Sequence, residues 1–61
     1  MLFSIGEIQD AIENYEGFCI ECGELHDNVE PDARKYKCEN CGKKSVYGAE
    51  EIILMGLIKN E

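Results

Sequence analysis

At 61 residues, with 44% apolar and 31% charged side chains, the chain is long enough for one small domain, too short for a self-contained enzyme with its own pocket, and neither low-complexity nor a disordered acidic tail. A core of this size seldom supplies more than about 3 to 5 kcal/mol, so some staple is expected. Thirteen acids against six bases give a formal charge of −7, which opposes long-range attraction to nucleic acid and leaves only local contacts possible there.

Met1 to Glu7 contain no Lys or Arg and no apolar run of the length a signal peptide needs. Ser4 and Glu7 have the spacing of a capping box, with Phe3 and Ile8 placed as a hydrophobic staple around it. Ile5, Ile8, Ile12 and Tyr15 then recur at helical spacing among Glu7, Asp10, Glu13, Asn14 and Glu16. This predicts an amphipathic helix over 4–16 that buries its stripe and is stopped by Gly17. From Phe18 onward the pattern changes to short β-like pieces, Phe18–Ile20, Leu25–Val29, Lys35–Cys38 and Ser45–Tyr47, punctuated by Gly23, Pro31-Asp32 and Gly42. Strands this short do not hold a sheet unaided, so the turns between them must be pinned. The last segment, 49–58, is a helix or a strand: Glu50 and Glu51 suit a first helical turn and Gly56 its end, whereas Ile52-Ile53 favours a strand. A short helix is the preferred reading, its apolar residues covering the first helix and the sheet. The Ile52 to Ile58 run falls far short of the roughly 20 residues of a membrane span. The expectation is a soluble chain in a reducing cytoplasm, where paired cysteines serve metal or redox chemistry rather than structural disulfides.

The pin is in the 17–48 segment. Cys19-Ile20-Glu21-Cys22-Gly23 and Cys38-Glu39-Asn40-Cys41-Gly42 form two C-x2-C turns separated by fifteen residues, a spacing typical of zinc sites. Two residues between cysteines let a tight turn aim both sulfurs at one point. Two such turns complete a tetrahedron of four thiolates with no open position, so the expected ion is a single structural Zn2+ rather than a catalytic one. A rubredoxin-like iron site, a redox dithiol and an iron–sulfur cluster are the rival uses of the same residues. His26 in the spacer is an alternative ligand, but four thiols already fill the shell, and a surface or strand-edge place suits it better. Four thiolates (−4) and a divalent ion (+2) would take the formal charge from −7 to −9, and Lys37, Lys43 and Lys44 lie beside the second turn to offset it.

Charge is unevenly distributed. Arg34, Lys35, Lys37, Lys43 and Lys44 fall in an eleven-residue window with one acid, Glu39, so that 34–44 carries +4 and the rest −11. Three readings follow. The window is a solvated surface that balances the metal site; or a basic knuckle that, with Tyr36 and Tyr47, contacts phosphates and stacks bases; or the acidic remainder meets a basic partner protein.

With both turns in view, the chain resembles the small single-domain zinc-ribbon proteins of bacteriophage and bacterial genomes, a family of unknown function. The residues that carry the resemblance are 17–23, the block Val29-Glu30-Pro31-Asp32-Ala33-Arg34-Lys35-Tyr36-Lys37 leading into the second turn, and Val46-Tyr47-Gly48-Ala49-Glu50-Glu51-Ile52-Ile53-Leu54. The turns are specific for zinc ribbons in general, the other blocks for this family. The resemblance covers about 17–58, and the amino-terminal helix least. It implies a zinc-ribbon fold in a bacterial cytoplasm, or in a host's if phage-encoded, and nothing catalytic.

The expected architecture is a single domain over 1–61: a small metal-stapled α+β fold, a zinc ribbon with two zinc knuckles on short antiparallel β-hairpins, an N-terminal amphipathic helix and a short C-terminal helix. The metal ligands are Cys19, Cys22, Cys38 and Cys41. The expected role is a non-enzymatic protein-interaction module, a phage factor acting on a host protein being one form of it. The alternative is a nucleic-acid-binding ribbon using Arg34, Lys35, Tyr36, Lys37, Lys43, Lys44 and Tyr47. Neither a membrane nor a small-molecule substrate is expected, and the chain is expected to be a monomer or weak homodimer.

Overall fold

The computed structural model describes residues 2–59, so the first residue and the last two of the expected domain lie outside the described residues. The elements run α1 (Ile5–Asn14), β1 (Glu16–Cys19), β2 (Leu25–Asp27), β3 (Val46–Gly48) and α2 (Ala49–Leu54). Ser4 caps α1 as its sequence suggests, its Oγ accepting from the Glu7 N–H at 3.2 Å. Only this half of the capping box forms among the described residues. The helix ends earlier than Gly17: Tyr15 adopts the left-handed conformation at the C-cap (φ 54°) and its N–H donates to the Ala11 carbonyl. Ending there turns Tyr15 outward, leaving it 61% exposed, and Ile5 is also largely exposed. The buried stripe of α1 is therefore Ile8 and Ala11, with Ile12 half-buried.

Freed from the helix stop, Gly17 belongs to β1, central in an antiparallel sheet of order β2-β1-β3. Gly17 pairs with His26 and Gly48, Phe18 with Leu25 and Tyr47, and Cys19 with Val46. A Cβ on Gly17 would lie 2.5 Å from both the Tyr47 carbonyl oxygen and Val29 Cγ1, so it is close approach, not a turn, that requires glycine here. Alternation along the strands then separates two cores. Phe18 and Tyr47 face the helices, joining Phe3, Ile8, Ala11, Ala49 and Ile52, with the Phe3 and Phe18 rings 4.8 Å apart. Cys19 and Val46 face the other way, with Val29, Ala33 and Cys38. The sheet is thus the middle layer, with helices on one face and the cysteine turns on the other.

Of two expected strands, one is shortened and the other lost, for one reason. β2 stops at Asp27 because Asn28 takes φ 57°, and Val29 instead donates its N–H to the Tyr15 carbonyl at 2.9 Å. The stretch Lys35–Cys38 is not a strand: Lys35 has φ 56°, and pairing is confined to one bridge, with Tyr36 and Val46 exchanging two 3.0 Å hydrogen bonds. The first cysteine turn therefore sits on a true hairpin and the second on a single bridge.

The carboxy-terminal segment is a helix over Ala49–Leu54. It stops where Gly56 predicts: Gly56 has φ 73°, its N–H donates to Ile53 O, and the Leu57 N–H donates to Ile52 O, a complete Schellman motif. The chain then doubles back. Phe3 N–H donates to Leu57 O at 2.9 Å and Lys59 N–H to Phe3 O at 2.8 Å, forming a parallel bridge that ties both ends together. No helix among the described residues is long and apolar enough to cross a membrane.

Candidate metal centre

The two cysteine turns are built by one hydrogen-bond scheme used twice. In the first, Cys19 N–H donates to Glu24 O at 3.0 Å and Gly23 N–H to Cys19 O at 2.8 Å; in the second, Cys38 N–H donates to Lys43 O at 2.8 Å and Gly42 N–H to Cys38 O at 2.7 Å. Each turn closes through a glycine in the left-handed region, Gly23 at φ 82° and Gly42 at φ 79°. A side chain would fit in the open space at Gly42, so it is conformation that demands glycine there.

The turns face each other and bring all four Sγ atoms within 4.8 Å of one another. The shortest separations run between the turns: Cys19 to Cys41 and Cys22 to Cys38, each 3.6 Å. A disulfide requires about 2.0 Å, and all four thiols are free. Around a tetrahedral ion with metal–sulfur bonds of about 2.3 Å, neighbouring sulfurs lie about 3.8 Å apart, so the residues present fit one such ion. Cys19 and Cys38 are fully buried, Cys22 is half-buried and Cys41 exposed, so the cage opens at one corner of the surface without leaving a coordination position free. His26 lies on edge strand β2, half-buried, outside this group, with Nε2 lacking a hydrogen-bond partner among the described residues.

Four thiolates and a divalent ion carry −2, which the surroundings answer with hydrogen bonds. Cys22 N–H points to Cys19 Sγ at 3.4 Å and Cys41 N–H to Cys38 Sγ at 3.5 Å, the paired donors expected of such turns. Two further donors escape sequence reasoning. Ser45 Oγ lies 3.0 Å from Cys19 Sγ and is buried with it, and Asn40 Nδ2 donates to Cys22 Sγ at 3.4 Å. Asn40 sits inside the C-x2-C turn, so the signal for it was local; Ser45 reaches the metal face only because β3 pairs with β1. In the metal-free chain these donors divide the cysteines. Burial desolvates Cys19, but the Ser45 hydroxyl and the Cys22 and Glu21 N–H groups outweigh that and hold its thiol at about 6. At Cys38 burial dominates the Cys41 and Asn40 N–H groups and pushes the thiol up to about 11.

The basic residues singled out in the sequence do not gather into one free surface. Arg34 grips Glu51 of α2, Nε to Oε1 at 2.9 Å and a second guanidinium nitrogen to Oε2 at 3.4 Å. Lys43 pairs with Glu21 across the cysteine turns at 3.5 Å rather than lying on the sulfurs. The Tyr36 hydroxyl donates to the Glu30 carboxylate. Tyr47 faces the helical core. Lys35, Lys37 and Lys44 remain exposed without an ion pair among the described residues. Compared with known proteins, the chain matches no family model, no curated protein and no solved structure.

Proposed function

We propose that the chain is a zinc ribbon in which one structural Zn2+, held by Cys19, Cys22, Cys38 and Cys41, fixes a small non-enzymatic module that binds another protein. The convergence of four sulfurs within 4.8 Å carries this reading, because an ion surrounded by four protein thiolates has no position for water or substrate. Zinc suits the site better than iron in an all-sulfur cage that asks for no redox change.

Protein is the favoured partner because of how charge is spent. Residues 1–33 contain nine acids and no Lys or Arg. Among the described residues the only ion pairs are Arg34–Glu51 and Lys43–Glu21, both of which consume bases from the basic window. Apart from Lys35, Lys37, Lys44 and Lys59, what remains exposed is largely acidic surface with scattered large apolar side chains, including Leu2, Leu25, Ile53 and Leu54, the last 77% exposed. Such a surface suits a basic protein, including one whose own site receives phosphates. The nucleic-acid reading is left with Lys35, Lys37 and Lys44. Retention of one bacterial protein on the immobilised zinc-loaded chain, in stoichiometric amount and released by salt, is the expected result. A salt-sensitive gel shift with nucleic acid that weakens in Lys37→Glu/Lys44→Glu, with no protein retained, would reverse the assignment.

A further inference from the structure

We propose that the groove between α1 and the β1–β2 hairpin receives a basic peptide segment of the partner protein, one in which an apolar side chain is flanked by Lys or Arg. This inference rests on the protein-binding reading above and specifies its surface and the partner's chemistry. The groove holds about 220 Å³ and is lined by Glu7, Asp10, Glu16, Phe18 and Leu25. That is below the roughly 300 to 1,000 Å³ of small-molecule pockets and suits a side chain or two. Its apolar floor is the buried Phe18 and the half-exposed Leu25, paired across the β1–β2 ladder. Its rim is carboxylate on both sides: Glu7 and Asp10 lie three apart on one face of α1, and Glu16 is two residues before Phe18 on the same face of β1.

Two observations set the occupant's charge. Glu16 sits directly opposite Asp27 in the β1–β2 register, a like-charged cross-strand pair of the kind that destabilises a sheet, with no Lys or Arg on either strand and with His26 alternating onto the other face. Nor does any of Glu7, Asp10, Glu16 or Asp27 have an ion-pair partner among the described residues. A cation placed over the groove answers the three that line it, Glu7, Asp10 and Glu16, and through Glu16 relieves the pair with Asp27. A single metal ion does not fit, because the one set of described residues that converges like metal ligands is the four cysteines. Spread carboxylates around an apolar floor match an extended polycation with an apolar residue between its charges. A nucleic acid would be repelled. A second copy of this chain would offer its unpaired Lys35, Lys37 and Lys44 but would bring its own net charge of −7 with them, so a separate basic partner is the better fit and self-association is an outcome of the test.

The test is an amide-shift titration of the ¹⁵N-labelled, zinc-loaded full chain with three capped peptides: Arg-Leu-Lys-Leu-Arg, its charge-reversed form Glu-Leu-Glu-Leu-Glu, and its polar form Arg-Ser-Lys-Ser-Arg. The first is expected to move the amides of Glu7, Asp10, Glu16, Phe18 and Leu25, the second to move none of them, and the third to bind more weakly. Affinity for the first should fall about tenfold in Glu7→Gln/Asp10→Asn/Glu16→Gln, which removes charge and keeps shape, and should also fall in Leu25→Ser. No localised shifts, equal response to the acidic peptide, unchanged affinity in both variants, or concentration-dependent shifts without peptide that mark self-association would each overturn the proposal. A lysate partner held equally well by parent and triple variant overturns the groove alone; capture of no protein by the parent overturns the protein-binding reading beneath it.

Discussion

Ser45 and Tyr36 show how single side chains set the chemistry of this small domain. The Ser45 hydroxyl is buried against Cys19 Sγ, and once that sulfur is ionised the hydroxyl can only donate to it. Partners of this kind tune metal sites as much as the ligands do, so Ser45→Ala should weaken zinc binding by roughly 10- to 100-fold, measured by competition with a chelator of known affinity. Asn40→Ala, which removes a more exposed donor to Cys22, should cost less in the same assay. Tyr36 acts on protonation instead. Its hydroxyl donates to Glu30, lowering the Glu30 pKa, and the bonded carboxylate in turn raises that of Tyr36. For Glu30 the depressed folded-state pKa means stability that is present above the ordinary carboxylate range and is lost as pH falls through the folded value. For Tyr36 the raised pKa means stability present below the ordinary phenol range and lost as pH rises through the folded value. In Tyr36→Phe the Glu30 pKa, followed by side-chain carboxyl NMR shifts, should rise back towards its ordinary value; a Glu30 pKa that stays depressed would mean that the hydroxyl is not its cause.

At the scale of elements, the joints depend on places where backbone meets backbone. α2 has no side-chain cap; its first N–H groups are satisfied by Pro31, whose carbonyl accepts from Glu50 at 3.0 Å and Glu51 at 3.2 Å. Gly48, at the N-cap, has an ordinary φ of −68°, but a Cβ there would run into the carbonyl oxygens of Glu30 and Pro31. Gly48→Ala should therefore expel the carbonyl that caps α2 and cost about 1 to 3 kcal/mol or more in chemical denaturation of the zinc form. The same loop is tied to α2 by Arg34. Arg34→Ala should cost about 1 to 3 kcal/mol by that measurement, because it leaves the Glu51 carboxylate, whose side chain is only 11% exposed, without its donors. These joints also mark where the sequence was readable. Ser4, the two C-x2-C-G turns and Gly56 act through neighbours within a few residues, so spacing alone disclosed them. Tyr15, Asn28 and Lys35 take left-handed conformations that no local signal demands of those residue types, and each shortened an expected element. Gly17 reads as a helix stop and Gly48 carries no local signal, yet both serve as close-approach points between segments distant in sequence, and Ser45 reaches its sulfur by strand pairing; none of this is written in local pattern.

At the scale of the whole molecule, the sheet is held from two sides that are unequal in origin. The helical side is ordinary packing of Phe3, Ile8, Ala11, Phe18, Ala49 and Ile52. The other side is Cys19 and Cys38 with Val29, Ala33 and Val46, a cluster that includes two of the four clustered cysteines. Zinc binding free energies of roughly 10 to 16 kcal/mol in small metal-folded domains exceed what the helical side of so short a chain supplies. On the zinc reading, removing the ion takes away what holds the four cysteine sulfurs and their turns together and leaves β1, the central strand that contains Cys19, without its anchor on that face. The proposed zinc is thus the determinant of the fold, with the groove, joints and ends as its consequences. Amide dispersion in the ¹H–¹⁵N spectrum, followed through exhaustive chelation and stepwise return of zinc, tests this most directly. Collapse to the narrow envelope of an unfolded or molten chain, and full recovery at one equivalent of zinc per chain, is the expected result; a spectrum that stays dispersed with the metal gone would contradict a metal-determined fold.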